Sequence, residues 1–247
     1  MSIKSRLYFD HNATTYVSAS VLQALKNVEE IYGNPSSVHW AGREARHLLN
    51  ESRERMAAAL NCHETELVFT SGATESTNHA LVGLWESRHD LHQNEIISSP
   101  VEHHATLRTL SYLQSRGAQI QWIEIDSQGR LSRKDLKNKI SSRTFCVSLM
   151  AVQNEIGNLY PIDSIAEICQ SYGVIFHCDA VQAIGKINFQ SQKNGPDLFS
   201  ISAHKFHGPK GVGALYLRQG IKLAPFHHGG RQERSLRAGT ENLLGIY

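Results

Sequence analysis

Apolar positions along the chain follow two rhythms. Val21, Leu22, Leu25, Val28 and Ile31 fall at helical spacing after Ser18, and Gly33 and Pro35 close that segment. Ala45, Leu48, Leu49, Met56 and Leu60 give a second helix, from about Gly42 to Leu60, the same one-sided face. Further helices are predicted from Thr74 to about Trp85, from about His103 to Arg116, after Ser132, and from Pro161 to Tyr172. Gly117 and Gly173 stand where two of them must stop. Between the helices lie short apolar runs of strand length, bounded by turn formers. They are Leu67–Thr70, Glu95–Ser98, Ile120–Ile125, Phe145–Met150, Val174–Cys178, Leu198–Ser202 and Val212–Leu217.

Strands alternating with helices of ten or more residues predict βαβ units. The expected fold is α/β, with a mainly parallel sheet covered by helices on both faces, which explains strands that are apolar throughout. Residues 18–247 read as one large domain, and residues 1–17 as an N-terminal segment lying to one side of it, where a smaller domain would sit. Apolar residues make up 40% and charged residues 19%, so a sizeable core is possible and disorder is not expected. A net charge of +2 gives no argument for nucleic acid or an anionic membrane. Residues 1–16 hold no apolar core of signal-peptide length, and no stretch reaches the length of a membrane span. The cytoplasm or an organellar matrix is the expected location. Cys62, Cys146, Cys169 and Cys178 show no C-x-x-C spacing, and no histidine pair has H-E-x-x-H spacing, so no metal site is expected.

The chemistry gathers behind the strands. Open α/β sheets place ligands at the carboxyl ends of their strands. Leu67–Thr70 is followed by Ser71-Gly-Ala-Thr74, where Ala73 and Thr74 begin a helix whose free N–H groups suit a phosphate. An ordinary helix cap at Thr74 is the plain alternative. Later strands are followed by Glu102, His103 and His104, then Gln153, Asn154 and Glu155, then Asp179 and Gln182, then His204 and Lys205. Lys205 stands between a strand and the glycine-rich turn Gly208-Pro-Lys-Gly211. Partial desolvation there lowers an ammonium pKa and frees the amine as a nucleophile. The set fits pyridoxal phosphate (PLP). Lys205 would hold it as a Schiff base, and Asp179 would keep its pyridine nitrogen protonated. Gln182 would donate to its phenolic oxygen, and His103 would stack on the ring and move protons. Asn154 would bind the phenolic oxygen or a substrate carboxylate. No G-x-G-x-x-G follows a strand, so a nicotinamide domain is unsupported.

Nine runs carry a resemblance to the cysteine desulfurases, of the branch that includes the nitrogen-fixation and housekeeping iron–sulfur enzymes. They are Leu7-Tyr-Phe-Asp-His-Asn-Ala-Thr-Thr15, Gly33-Asn-Pro-Ser-Ser37, Thr70-Ser-Gly-Ala-Thr-Glu-Ser76, Glu102-His103, Asn154-Glu-Ile-Gly157, His177-Cys-Asp-Ala-Val-Gln-Ala183, Ser202-Ala-His-Lys205, Gly208-Pro-Lys-Gly211 and Arg237-Ala-Gly-Thr-Glu-Asn242. The resemblance implies a fold-type-I PLP large domain without its small C-terminal domain. It implies conversion of L-cysteine to alanine, with sulfur passed to an enzyme cysteine and on to iron–sulfur scaffold or other acceptor proteins. It adds Ser202 and His204 as phosphate ligands. It also adds Thr240 as a residue reaching the phosphate of the neighbouring subunit, hence a homodimer. The family's sulfur-accepting cysteine loop and carboxylate-binding arginine lie beyond the length of this chain, so no sulfur transfer is expected from these 247 residues alone. A selenocysteine lyase, an aminotransferase of the same fold, or a non-catalytic PLP-binding fragment are the alternatives.

Overall fold

The computed structural model describes residues 7–88, 90–191 and 194–247. Helices α1 (Ala19–Val28) and α2 (Trp40–Leu60) precede strand β1 (Leu67–Thr70). Then follow α3 (Ala73–Ser87), β2 (Glu95–Ser98), α4 (His104–Ser115), β3 (Gln119–Trp122) and α5 (Arg133–Lys139). After these come β4 (Thr144–Met150), α6 (Ile162–Tyr172), β5 (Ile175–Asp179), β6 (Leu198–Ser202), β7 (Gly213–Leu217) and a last turn of helix, α7 (Leu243–Ile246). The strands form one seven-stranded sheet in the order β1-β7-β6-β5-β4-β2-β3. Strands β2 to β6 are mutually parallel, while β7 runs antiparallel to both β6 and β1. The link from β6 to β7 is too short to hold a crossover helix, so the chain can only turn back on itself.

The alternation of side chains across the sheet divides the core. On one face Val147, Leu149, Phe176 and Ile201 pack with Ile165, Ala166 and Cys169 of α6 and Leu60 of α2. On the other, Val68, Ile96, Cys146 and Leu215 pack with Leu81 and Leu84 of α3 and Leu110 and Leu113 of α4. Both faces are thus covered. The expectation of apolar strands fails at β3, whose pattern Gln-Ile-Gln-Trp is only partly buried because it forms the sheet edge. That strand is also shorter than its apolar run, ending at Trp122.

One line of polar side chains crosses this apolar centre. Thr77 Oγ1 of α3 donates to Ser200 Oγ of β6 at 3.0 Å. That hydroxyl is then free to donate to His177 Nε2 of β5, 3.0 Å away, so the His177 proton sits on Nδ1 and faces Ser148 Oγ of β4 at 2.9 Å. All four residues are fully or almost fully buried. Burial drives the His177 pKa down to about 3, so the ring stays neutral across the physiological range. His177→Leu keeps the bulk but strips Ser148 Oγ of its ring partner and leaves the Ser200 proton without an acceptor, although Thr77 still donates to Ser200. The expected loss is about 2–4 kcal/mol of unfolding free energy, read from urea denaturation, at about 1–3 kcal/mol for each orphaned group before relaxation.

Candidate active site

The carboxyl ends of β1, β2, β4, β5 and β6 open onto a single cleft of about 770 Å³. Ser71, Gly72, Ala73, Thr74, Glu75, His103, Asn154, Asp179, Gln182, Ser202, His204 and Lys205 line it. Every predicted site residue except Thr240 is therefore brought together. Thr240 is exposed on the segment after β7 and does not line the cleft.

The anion end of the cleft is built from backbone. Helix α3 begins at Ala73 with Gly72 as its N-cap, two residues before the start that a Thr74 cap would give. Gly72 adopts φ 150°, a conformation that side chains rarely take, so the turn needs glycine. A Cβ on Gly213 would stand 2.4 Å from the Ile201 carbonyl and 2.7 Å from Gly72 Cα, so β7 also needs glycine to let this turn approach. The freed position is no longer a cap, and Thr74 turns into the cleft. The Ser202 hydroxyl lies within 3.7 Å of where a Gly72 side chain would begin. Burial and the cations of Lys205 and Lys210 lower the pKa of His204.

The opposite end holds the titratable groups. Asp179 closes β5 and is 7% exposed. Burial raises its pKa, against a hydrogen bond from Val181 N at 3.0 Å and the charges of His103 and Lys205, which favour the anion. Lys205 sits in a single 3-10 turn after β6. Burial lowers its pKa, opposed by Asp179 and Asp10. His103 caps α4, its Nδ1 accepting from Ala105 N at 3.1 Å. In the neutral ring the proton then belongs to Nε2. Capping and a place in the cleft are compatible for this residue. Gln182 Nε2 donates to the Asn12 carbonyl at 3.0 Å, while its Oε1 accepts from Lys186. Asn154 Nδ2 donates to Glu155 Oε1 at 2.6 Å.

Two features lie outside the residues that follow the strands. Residues 10–15 are strapped across the cleft mouth. Thr15 N and Thr15 Oγ1 both donate to the His204 carbonyl, at 2.8 and 3.0 Å, and the Asn12 carbonyl accepts from Lys205 Nζ. All three bonds end on main-chain carbonyls, whose positions composition cannot reveal. The second is the segment from His227 to Asn242. Arg237 donates to Glu75 at 2.9 and 3.3 Å, and Ser71 N donates to the same carboxylate at 2.9 Å. Burial alone would raise the Glu75 pKa, but these hydrogen bonds outweigh it and hold it below its ordinary value. Glu233 accepts from Arg53 and from Phe69 N, the latter at 2.8 Å.

A half-desolvated lysine, a buried acid and a backbone anion cradle around one cleft fit a phosphorylated aldehyde, and define the PLP-dependent class. Residues 7–247 match the aminotransferase class-V family. A cysteine desulfurase IscS of Dictyoglomus turgidum is 44% identical over 245 residues, 99% of this chain and 62% of that relative. A putative cysteine desulfurase IscS 1 of Bacillus subtilis is 42% identical over 242 residues. Among solved structures, a NifS-like protein superposes with a TM-score of 0.95 at 42% identity, covering 98% of this chain and 67% of the other. The protein described as SspA in complex with cysteine gives a TM-score of 0.93 at 34% identity, covering 98% of this chain and 70% of the other. The chain belongs to the class-V aminotransferase family, and it spans 62% of the length of the Dictyoglomus relative.

Glu233 holds the segment after β7 against α2 and β1. Its side chain is 1% exposed and that of Arg53 11%. Glu233→Ala leaves a buried guanidinium uncompensated, and a cost of about 3–5 kcal/mol is expected in chemical denaturation.

Proposed function

We propose that this chain forms the PLP-binding large domain of a cysteine desulfurase, which converts L-cysteine to L-alanine and passes the sulfur to a cysteine thiolate. What carries the reading is the pairing of Lys205 and Asp179 in one cleft, opposite the N-terminus of α3. When bound, PLP supplies an aldehyde for an amine to attack and a cationic ring that withdraws electrons from the bond being broken.

The residues divide the remaining work. The amine of Lys205, its pKa lowered by burial, is the nucleophile that holds the cofactor. Asp179 keeps a proton on the pyridine nitrogen, since a cation beside it restores the charged form that burial disfavours. The first-turn N–H groups of Ala73 and Thr74, with Thr74, Ser202 and His204, bind the phosphate. His103 presents Nε2–H to the cleft and delivers a proton there. Gln182 directs its amide donor to the cofactor's phenolic oxygen, which requires it to release the Asn12 carbonyl. Asn154 binds either that oxygen or the substrate carboxylate.

None of the four cysteines lines the cleft. Burial lifts the thiol of Cys62 to about 11 and that of Cys169 to about 12, and raises Cys146 and Cys178 as well. A thiolate is the sulfur acceptor, so none of these four takes that role. Thr240, exposed and away from the cleft of its own chain, fits a residue that reaches the phosphate of a second subunit. Exposed Leu7, Phe9, Val38 and Trp40 support such a homodimer. Iron–sulfur scaffold or other sulfur-acceptor proteins are the proposed partners. Four unpaired cysteines suit the reducing cytoplasm or an organellar matrix. Among the described residues no helix is long and apolar enough to cross a membrane.

Lys205→Ala should abolish the cofactor adduct trapped by borohydride, followed by mass spectrometry. An adduct persisting on another lysine sinks the assignment. Asp179→Asn should retain much of the cofactor yet slow exchange of the substrate α-proton severely, as read by NMR in deuterated water. Thr74→Val removes one hydroxyl from the cradle, and PLP affinity should fall by about 1–3 kcal/mol in a fluorescence titration.

A further inference from the structure

Behind the cleft wall lies a carboxyl group that the proposed chemistry does not use. Glu102 is 5% exposed. Strand β2 ends at Ser98 while β4 runs on to Met150, so the Met150 N–H projects past its neighbouring strand. Glu102 Oε1 accepts that N–H at 3.1 Å and the Ser99 hydroxyl at 2.7 Å. Both lone pairs of Oε1 are then in use. The next amide along β4, Ala151 N–H, goes the other way, to the Asp179 carbonyl at 2.9 Å. Glu102 thus completes the ladder on one side of β4 as Asp179 does on the other.

Oε2 of Glu102 is buried and has no hydrogen-bond partner. An ionised Glu102 would leave charge on that oxygen with nothing to solvate it. Asp179 and Cys178 of β5 and the Tyr160 hydroxyl are the titratable groups that couple to it, and none is a cation. His103, next in sequence, lines the cleft, and Lys205 acts on Asp179. Two carboxyl groups in one buried site do not both ionise cheaply. Asp179 has Val181 N–H, His103 and Lys205 to favour its anion, whereas Glu102 has two neutral donors only.

We propose that Glu102 is a positioning residue that works as a neutral acid, tying the turn that carries His103 to the open end of β4 and leaving Asp179 as the one negative charge at the back of the cleft. The roles of His103 and Asp179 rest on the function proposed above; the state of Glu102 does not. Burial pushes the Glu102 pKa up to about 8, from an ordinary value of 4.5. Between those values the folded protein holds a proton that the unfolded chain has released. Its contribution to stability is therefore full at low pH and is lost as pH rises through the window.

The test is a series of thermal melts of the cofactor-free protein from about pH 5.5 to about pH 8.5, comparing wild type with Glu102→Gln. Glutamine keeps the acceptor for Met150 and Ser99 but cannot ionise. Titrations elsewhere are shared by both proteins and cancel in the difference. The Tm of the variant, taken relative to wild type, should climb steadily with pH. A difference that does not change with pH overturns the proposal, because a merely structural role would give that result. Glu102→Ala removes the tie as well and should lower Tm at every pH and weaken PLP binding several-fold in a fluorescence titration. An alanine variant equal to wild type in both also overturns it; if that variant does not fold, the glutamine series decides alone. Wild type that fails to bind PLP at all would instead count against the proposed function, and the melts would still decide the state of Glu102.

Discussion

The register of the central strands rests on a hydrogen-bonded chain that has no access to water. Thr77, Ser200, His177 and Ser148 run from α3 through β6 and β5 to β4, and each hydroxyl or ring nitrogen finds its partner only when the strands are level. Apolar packing alone is tolerant of sliding, whereas a buried polar group is penalised for any register but its own. Two residues beyond His177 stands Asp179, and two beyond Ser200 stands Ser202. The polar chain therefore fixes, from inside the core, the heights at which the floor of the cleft presents the Asp179 carboxyl and the Ser202 hydroxyl.

The segment after β7 is held differently. Residues Glu233, Arg234 and Ser235 take φ values of 45°, 56° and 67°, three consecutive non-glycine residues in the left-handed region. Such backbone costs about 1–3 kcal/mol per residue and persists only where surroundings impose it. Here the ion pair of Glu233 with Arg53 and the hydrogen bond to Phe69 N supply the constraint from α2 and β1. Farther along the same segment, Arg237 grips Glu75 at the start of α3. The segment bearing Thr240 is thus pinned at two points, to α2 and β1 through Glu233 and to α3 through Arg237.

Much of this was legible in the sequence because the sheet is parallel and buried. Strands such as Leu67–Thr70, Glu95–Ser98 and Leu198–Ser202 begin and end where their apolar runs do. Since ligands gather where parallel strands end, polar residues following the strands name the cleft. The edge strand β3 was less legible, being half exposed and alternating with glutamine. So was the direction of β7, which loop length decides and apolar pattern does not. Helix α3 starts two residues earlier than a cap at Thr74 would set it, because a glycine able to take φ 150° displaces Thr74 as the cap. The run Leu7–Thr15 marks the strap at residues 10–15, but where it docks is set by the carbonyls of Asn12 and His204, which no side-chain pattern locates.

That strap also carries a consequence for how the molecule is made. Thr15 is joined to His204 across 189 residues of chain, and among the described residues β1 pairs with β7 alone. As the polypeptide leaves the ribosome, its earliest segments must wait for its latest strand before either can settle. The cleft is then the last part of this domain to close over its own floor. Until that moment β1 and the strap are exposed main chain, open to chaperones or to any competing strand. A small molecule that binds the finished cleft stabilises only chains in which β1 and β7 have already paired.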